Sequence, residues 1–278
     1  MFKLKKAVLF YFSGTGNTWW AAQTLSAELQ ARGIETRCQS IEQLAFGDAD
    51  RLTAESDAVG IAYPVYGSDM PQLMKDFIGS LAPAKGKKAF VFCTQWLWSG
   101  DGARVGAQLL RERGFQVGWA EHFSMPNNVS VTVFSFMPYT NDPGRLARKL
   151  AKTAVKIKCF AERIAGGRPF RRGFNWAAKL AGSIQRLPYR RIFHRLRNDI
   201  GVDLSRCTNC GNCASLCPAG NLTWDGSEIK THGSCILCLR CYSFCQEVAV
   251  TYLKKPHRLN RGKPYRGPVE DFHPRLLK

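Results

Sequence analysis

Short apolar runs and helical periodicities alternate through the first 123 residues. The runs at 7–12, 34–38, 58–63, 88–93 and 116–120 have the length and β-branched or aromatic content of strands buried on both faces. Between them, apolar positions recurring every three or four residues predict helices near 17–32, 70–80 and 103–114. Strands that alternate with helices predict an α/β domain with a parallel sheet covered on both sides. A further helix is predicted over 145–165, where Leu146, Leu150, Ala154, Ile157, Ala161 and Ile164 share a face before a stop at Gly166 and Gly167.

The pattern then changes twice. Residues 168–198 are basic, with Phe170, Phe174, Trp176, Leu180, Ile184, Leu187, Ile192 and Phe193 interspersed, and read as a partly helical connector. From 199 the chain is cysteine-rich to 245, and it ends in a basic stretch with Pro256, Pro264, Pro268 and Pro274. The expected organisation is an N-terminal domain over 1–166, a connector over 167–198, a small domain over 199–253 and a tail over 254–278.

Charge is concentrated rather than spread. The chain has a formal net charge of +19, yet residues 1–142 hold 13 basic and 13 acidic side chains, while 143–198 hold 16 basic and 1 acidic. So local a block has a local cause. Neutralisation of negative cofactors on an otherwise solvated face is the plainest account. An acidic redox protein docking at 143–198 is the leading partner, an anionic membrane surface the second, and nucleic acid the least supported, since no nucleic-acid-binding motif accompanies the block. No apolar stretch reaches the length of a membrane span, and the start, 1–6 followed by 7–12, is too short for a signal peptide, so a cytoplasmic location is expected.

Eight of the eleven cysteines fall between 207 and 245. Cys207, Cys210, Cys213 and Cys217 repeat 28 residues later as Cys235, Cys238, Cys241 and Cys245. Three thiolates two residues apart can wrap one cubane on a tight turn, whereas the fourth, beyond a three-residue spacer, reaches the other cluster. The expected ligand sets are therefore Cys207, Cys210, Cys213 and Cys245 for one [4Fe-4S] cluster, and Cys235, Cys238, Cys241 and Cys217 for a second. A zinc site would need only four ligands and gives no reason for the repeated third and fourth cysteines. The segment closely resembles bacterial-type two-cluster ferredoxins, with Gln246 standing where that family usually has a second proline.

After the first strand comes Ser13, Gly14, Thr15, Gly16, Asn17 and Thr18, leading into a helix. Glycines and hydroxyls at a strand-to-helix turn let backbone N–H groups converge on a phosphate. The turn lacks the lysine of a Walker A loop and the third glycine of a dinucleotide fingerprint, which leaves a monophosphate held by hydrogen bonds. Ser13, Thr15, Gly16 and Thr18 match the flavodoxin phosphate loop, S/T-x-T-G-x-T, and the segment resembles it. That resemblance implies FMN at the C-terminal edge of a doubly wound five-stranded sheet of order 2-1-3-4-5. It also implies two loops beside the flavin ring: one with Pro64, Val65, Tyr66 and Gly67, the other with Thr94, Gln95, Trp96, Trp98 and Gly100. A third loop, Met125, Pro126, Asn127 and Asn128, is implied nearby. Tyr66, Trp96 and Trp98 are candidates to stack on the ring, or equally to pack in the rim; Trp19 and Trp20 read as core.

Together the two halves resemble flavodoxin/ferredoxin fusions, an FMN domain joined to a small α+β ferredoxin-like domain with two clusters. Such a chain is expected to move electrons between clusters and FMN on behalf of another oxidoreductase. A self-contained reductase of a quinone or unsaturated compound is the alternative, and a redox sensor binding through its basic segment a third. No Ser/His/Asp or Cys/His grouping is found, and His122, His194, His232, His257 and His273 are isolated in sequence.

Overall fold

The computed structural model describes residues 4–278, the side chain of His194 apart. What was read from residues 1–3 and from the His194 side chain lies outside the described residues. The N-terminal region builds β1 (Lys6–Tyr11), α1 (Asn17–Gln30), β2 (Glu35–Ser40), α2 (Asp48–Ala54), β3 (Ala58–Pro64), α3 (Gln72–Ser80), β4 (Lys88–Gln95), α4 (Gly102–Glu112), β5 (Gln116–Ser124) and α5 (Pro143–Ala165). Strand side chains alternate between two cores. Leu9 and Tyr11 join Leu25, Phe92, Phe123 and Phe160 on the face covered by α1 and α5. Val8 and Phe10 join Ile61, Met74, Val91 and Leu110 on the face covered by α3 and α4. With both faces buried, a strand has no polar side to show, which is why β1, β3 and β4 read as apolar runs.

The sheet is parallel and has the order β2-β1-β3-β4-β5-β6, so the expected five strands are six. The additional β6 (Phe170–Arg171) comes from the stretch read as connector and pairs Phe170 with Trp119 and Arg171 with Ala120 of β5. Trp119 anchors it, its indole N–H donating to the Arg168 carbonyl at 2.9 Å, while the Arg163 guanidinium lies 4.4 Å over the Phe170 ring.

The rest of the connector forms α6 (Trp176–Leu196), which lies across the loops that follow β3 and β4. Arg186 pairs with the buried Asp101, and Arg190 Nε donates to the buried Asp69 at 2.7 Å. Gly100, at φ 59°, lets the helix backbone approach: a Cβ there would run into the Gly182 nitrogen.

The cysteine-rich region contains β7 (Ile200–Val202), α7 (Asn212–Ser215), β8 (Leu222–Trp224), β9 (Ile229–Thr231), α8 (Arg240–Phe244) and β10 (Val250–Tyr252). β7 pairs antiparallel with β10, and β8 with β9. The region packs against the C-terminal edge of the parallel sheet, and Leu216 and Phe244 merge with the α1/α5 core. The tail binds both parts: Tyr265, Phe272 and Leu277 are buried. Among the described residues no helix is long and apolar enough to cross a membrane.

Candidate cofactor sites

The turn between β1 and α1 opens on a cleft of about 430 Å³, a size typical of cofactor pockets. Ser13, Gly14, Thr15, Asn17 and Thr18 line one end. Gly16, at φ 97°, starts α1 with no side-chain cap and no acidic residue in the first turn, so first-turn N–H groups keep the partial positive charge of a helix N-terminus. The side chains around them are held by each other. The Ser13 hydroxyl accepts from the Gly16 N–H at 3.2 Å, the Thr18 and Thr94 hydroxyls share a hydrogen bond of 2.7 Å, and Asn128 donates to the Thr15 hydroxyl at 2.9 Å. Asn17 donates to the Pro126 carbonyl and accepts from the Tyr265 hydroxyl, so its side chain fixes the walls of the cleft.

The other walls are the expected ring loops: Pro64, Val65, Tyr66 and Gly67 on one side, Thr94, Gln95, Trp96 and Trp98 on another, and Met125 to Asn128 on a third. Trp96 is half-buried and Trp98 exposed at the rim, while Trp19 and Trp20 pack against the α1/α5 core. Gly16 and Gly100 do not line the cleft. A Cβ on Gly16 would meet Phe272 and Pro268 of the tail, and one on Gly100 would meet α6. Both glycines are places of close approach between segments. The structure adds Ser68, Val129, Met137 and Gln185 to the lining. They carry no motif, and the packing of α6 and of the loop after β5 brings them in.

Tyr66 tests the fit of a missing group. Its hydroxyl is buried without a hydrogen-bond partner, and burial pushes its ionisation well above the ordinary tyrosine range. A buried neutral hydroxyl left unpaired is costly. A polar group bound in the cleft, or sulfur held by the neighbouring cysteines, would supply an acceptor. The uncapped helix and the size of the cleft likewise fit a flavin monophosphate.

The eight cysteines line two separate spaces. Cys207, Cys210, Cys213 and Cys245 surround one, and Cys217, Cys235, Cys238 and Cys241 the other, the interleaved sets expected from their spacing. Among the described residues, no group of three or more His, Cys, Asp or Glu side chains is placed to hold a single metal ion. Backbone N–H groups already point at the sulfurs: Asn209 to Cys207 and Leu237 to Cys235, at 3.4 and 3.3 Å, then Asn221 to Cys217 and Ala249 to Cys245, at 3.2 and 3.3 Å. These donors stabilise thiolate and raise the potential of a cluster bound there.

The 28-residue repeat is also a repeat of left-handed backbone conformation. Asn209, Gly211 and Gly220 have φ of 54°, 70° and 60°, and their counterparts Leu237, Leu239 and Val248 have φ of 59°, 61° and 53°. Left-handed leucine and valine are uncommon, and here they belong to the turns that aim N–H groups at sulfur.

The two sites meet at Gly14 and Arg240. A Cβ on Gly14 would lie 2.6 Å from the Cys238 carbonyl oxygen and 2.9 Å from the Tyr66 hydroxyl. Arg240, between Cys238 and Cys241, is wholly buried. Its guanidinium donates to the Ser13 and Gly14 carbonyls at 2.7 and 3.2 Å, to the Leu216 carbonyl at 3.2 Å, and to both carboxylate oxygens of Glu42 at 2.6 and 2.7 Å. One side chain thus ties the phosphate loop to the Cys238 turn.

Comparison with known proteins fits this geometry. A 4Fe-4S binding domain profile matches residues 200–223. In architecture, the chain joins a parallel α/β domain to a cysteine-rich region. The strand order 2-1-3-4-5 within its sheet and the cleft at the C-terminal edge follow the flavodoxin-like doubly wound arrangement. A putative diflavin flavoprotein of Thermosynechococcus vestitus is 28% identical over 116 residues, 41% of this chain, and the match spans 20% of that protein's length. Among solved structures, the two-electron-reduced flavodoxin of Megasphaera elsdenii is 27% identical, covering 44% of this chain and 90% of its own with a TM-score of 0.39. Oxidised Flavodoxin 2 from Bacillus cereus is 19% identical, covering 58% and 99%, with a TM-score of 0.41. The profile match supports an iron–sulfur cluster in the cysteine-rich region.

Proposed function

We propose that the protein is an electron-transfer flavoprotein that holds FMN in the cleft and two [4Fe-4S] clusters, one on each cysteine quartet, and serves a partner oxidoreductase. The observation that carries this reading is the contact between the Cys238 turn and Gly14, which sets one quartet against the phosphate loop. When bound, FMN exchanges one or two electrons and each cluster one, which joins one-electron carriers to two-electron chemistry. The protein's own residues do the rest. The turn from Ser13 to Thr18 would receive the phosphate, with Tyr66, Trp96 and Trp98 beside the ring. The quartet with buried Cys238 is the inner one, and the quartet with exposed Cys210 the outer one, open to an external redox protein.

Cofactor content tests the reading directly. Protein purified without oxygen should contain about eight iron, about eight acid-labile sulfide and about one FMN per chain, the content of two cubanes and one flavin. About four iron would reduce the reading to a single cluster, and absence of flavin after incubation with FMN would remove the junction.

A further inference from the structure

The cations of the basic segment fall into two populations. On the inner face of α6, Arg186 and Arg190 neutralise the buried Asp101 and Asp69, and so hold the helix over the loops after β3 and β4. Lys179, Arg191 and Arg195 are exposed and, among the described residues, form no ion pair; Arg191 and Arg195 lie on the outer face, and Lys179 flanks it on the side of Arg186. Inward neutralisation therefore accounts for only part of the charge.

Along that outer face runs a row of large apolar side chains. Trp176 is 78% exposed, Leu180 53%, Ile184 63% and Leu187 57%. Their spacings of four, four and three residues place them on one side of the helix, over about 16 Å of its length. Ile192, beyond Pro188, is 49% exposed as well. The helix contains no acidic residue. A row of this kind is a binding surface rather than scatter, because single exposed apolar residues do not align.

We propose that the outer face of α6 docks the protein on an anionic membrane surface, with the apolar row at the acyl boundary and Lys179, Arg191 and Arg195 among the headgroups. Charge complementarity selects the occupant: flanking cations without any acid favour a negative surface, and the straight apolar row, with a tryptophan at one end, suits an interface that is planar and apolar beneath. Attachment is peripheral, since no described helix can span a bilayer. The proposal does not depend on the number of clusters. Gln185, on α6, lines the flavin cleft, so docking would bring the cleft within about one helix diameter, roughly 10 Å, of the lipid.

Co-sedimentation of the full-length, cofactor-loaded protein with vesicles tests this. It should bind vesicles of mixed phosphatidylglycerol and phosphatidylcholine and not vesicles of phosphatidylcholine alone. Leu180→Asp with Ile184→Asp should weaken binding roughly tenfold or more, since both apolar contacts are lost. So should Lys179→Gln, Arg191→Gln and Arg195→Gln combined. Because all five side chains are exposed, flavin content and melting temperature should not change in either variant. No binding to the anionic vesicles, or binding indifferent to the two aspartates, overturns the proposal. A dimer that the aspartates dissociate, or an acidic redox protein that binds through this face without any vesicle binding, assigns the face elsewhere and overturns it too.

Discussion

Arg240 is buried in a place where a charge is tolerable only because every donor finds an acceptor. Its pairing with Glu42 is bidentate, and the remaining N–H groups go to three carbonyls from two distant parts of the chain. Removing one partner of a buried pair strands the other. Arg240→Gln should therefore cost about 3–5 kcal/mol of stability. It should also weaken FMN binding, because the Ser13 and Gly14 carbonyls lose the donor that orients their loop; flavin fluorescence titration beside a melting curve reads both effects. Arg240→Lys should recover little, since an ammonium cannot reproduce the planar fork. Gly211 makes a second residue-scale case. It starts α7 at φ 70°, and a Cβ there would lie 2.8 Å from the Trp224 ring. Gly211→Ala should cost about 1–2 kcal/mol in backbone strain alone and shorten the lifetime of a cluster on the outer quartet, followed by its visible absorbance. An unchanged lifetime would show that this turn does not shape the site.

At the level of elements, α4 begins without help from its own N-cap residue, Asp101. His122 on β5 does the capping: its Nε2 accepts from the Ala103 N–H at 3.1 Å. That role requires a neutral ring, and burial, reinforced by Lys156 and Arg172 nearby, lowers its pKa from 6.5 to about 4. Between those values the unfolded chain binds a proton that the folded chain excludes. The contribution is therefore whole above about pH 6.5 and is lost as pH falls toward 4, on the order of 3 kcal/mol in all. Urea unfolding between pH 5 and 7 should show a shallower pH slope for His122→Asn than for the native chain, and equal slopes would refute the assignment.

The same elements show what the sequence discloses. The central strands β1, β3 and β4 are mainly apolar runs and the cysteines are regularly spaced, so both were legible residue by residue, whereas the edge strand β2 is mostly polar. β6 is two residues long and has no period to detect; it exists because Trp119 and Arg163 hold Phe170. The seven-residue α2 is too short for a repeating face. Around the cleft, Gln185 and Met137 depend on how segments pack, and the close approach of the tail to Gly16 and of α6 to Gly100 has no signature in the sequence.

For the molecule as a whole, the last residues matter more than their Pro-rich, basic composition suggests. Tyr265 reaches Asn17 at the start of α1 at 2.7 Å, and Arg266 donates to the Cys245 carbonyl at 3.0 Å. Phe272 packs between Trp19 of α1 and Phe244 of α8, and Ser40 at the end of β2 donates to the Leu277 carbonyl at 2.6 Å. The segment is thus a strap that touches the flavin cleft, the sheet and the cysteine-rich region at once. Each large apolar side chain it buries contributes about 1.5–3 kcal/mol, and Phe272 sits where a loss is felt on both sides. Truncation after Lys263 should therefore do two things together: lower FMN affinity through the freed Asn17 side chain, and loosen the cysteine-rich region at Phe244 and Cys245. Differential scanning calorimetry should show one unfolding transition in the intact chain and two in the truncated one, with the cysteine-rich region melting first. The single change Phe272→Ala should move in the same direction by about 3 kcal/mol or more. If the truncated chain instead binds FMN as tightly and melts as one unit, Arg240 and the shared cores around Leu216 and Phe244 suffice to join the two halves and the strap is dispensable.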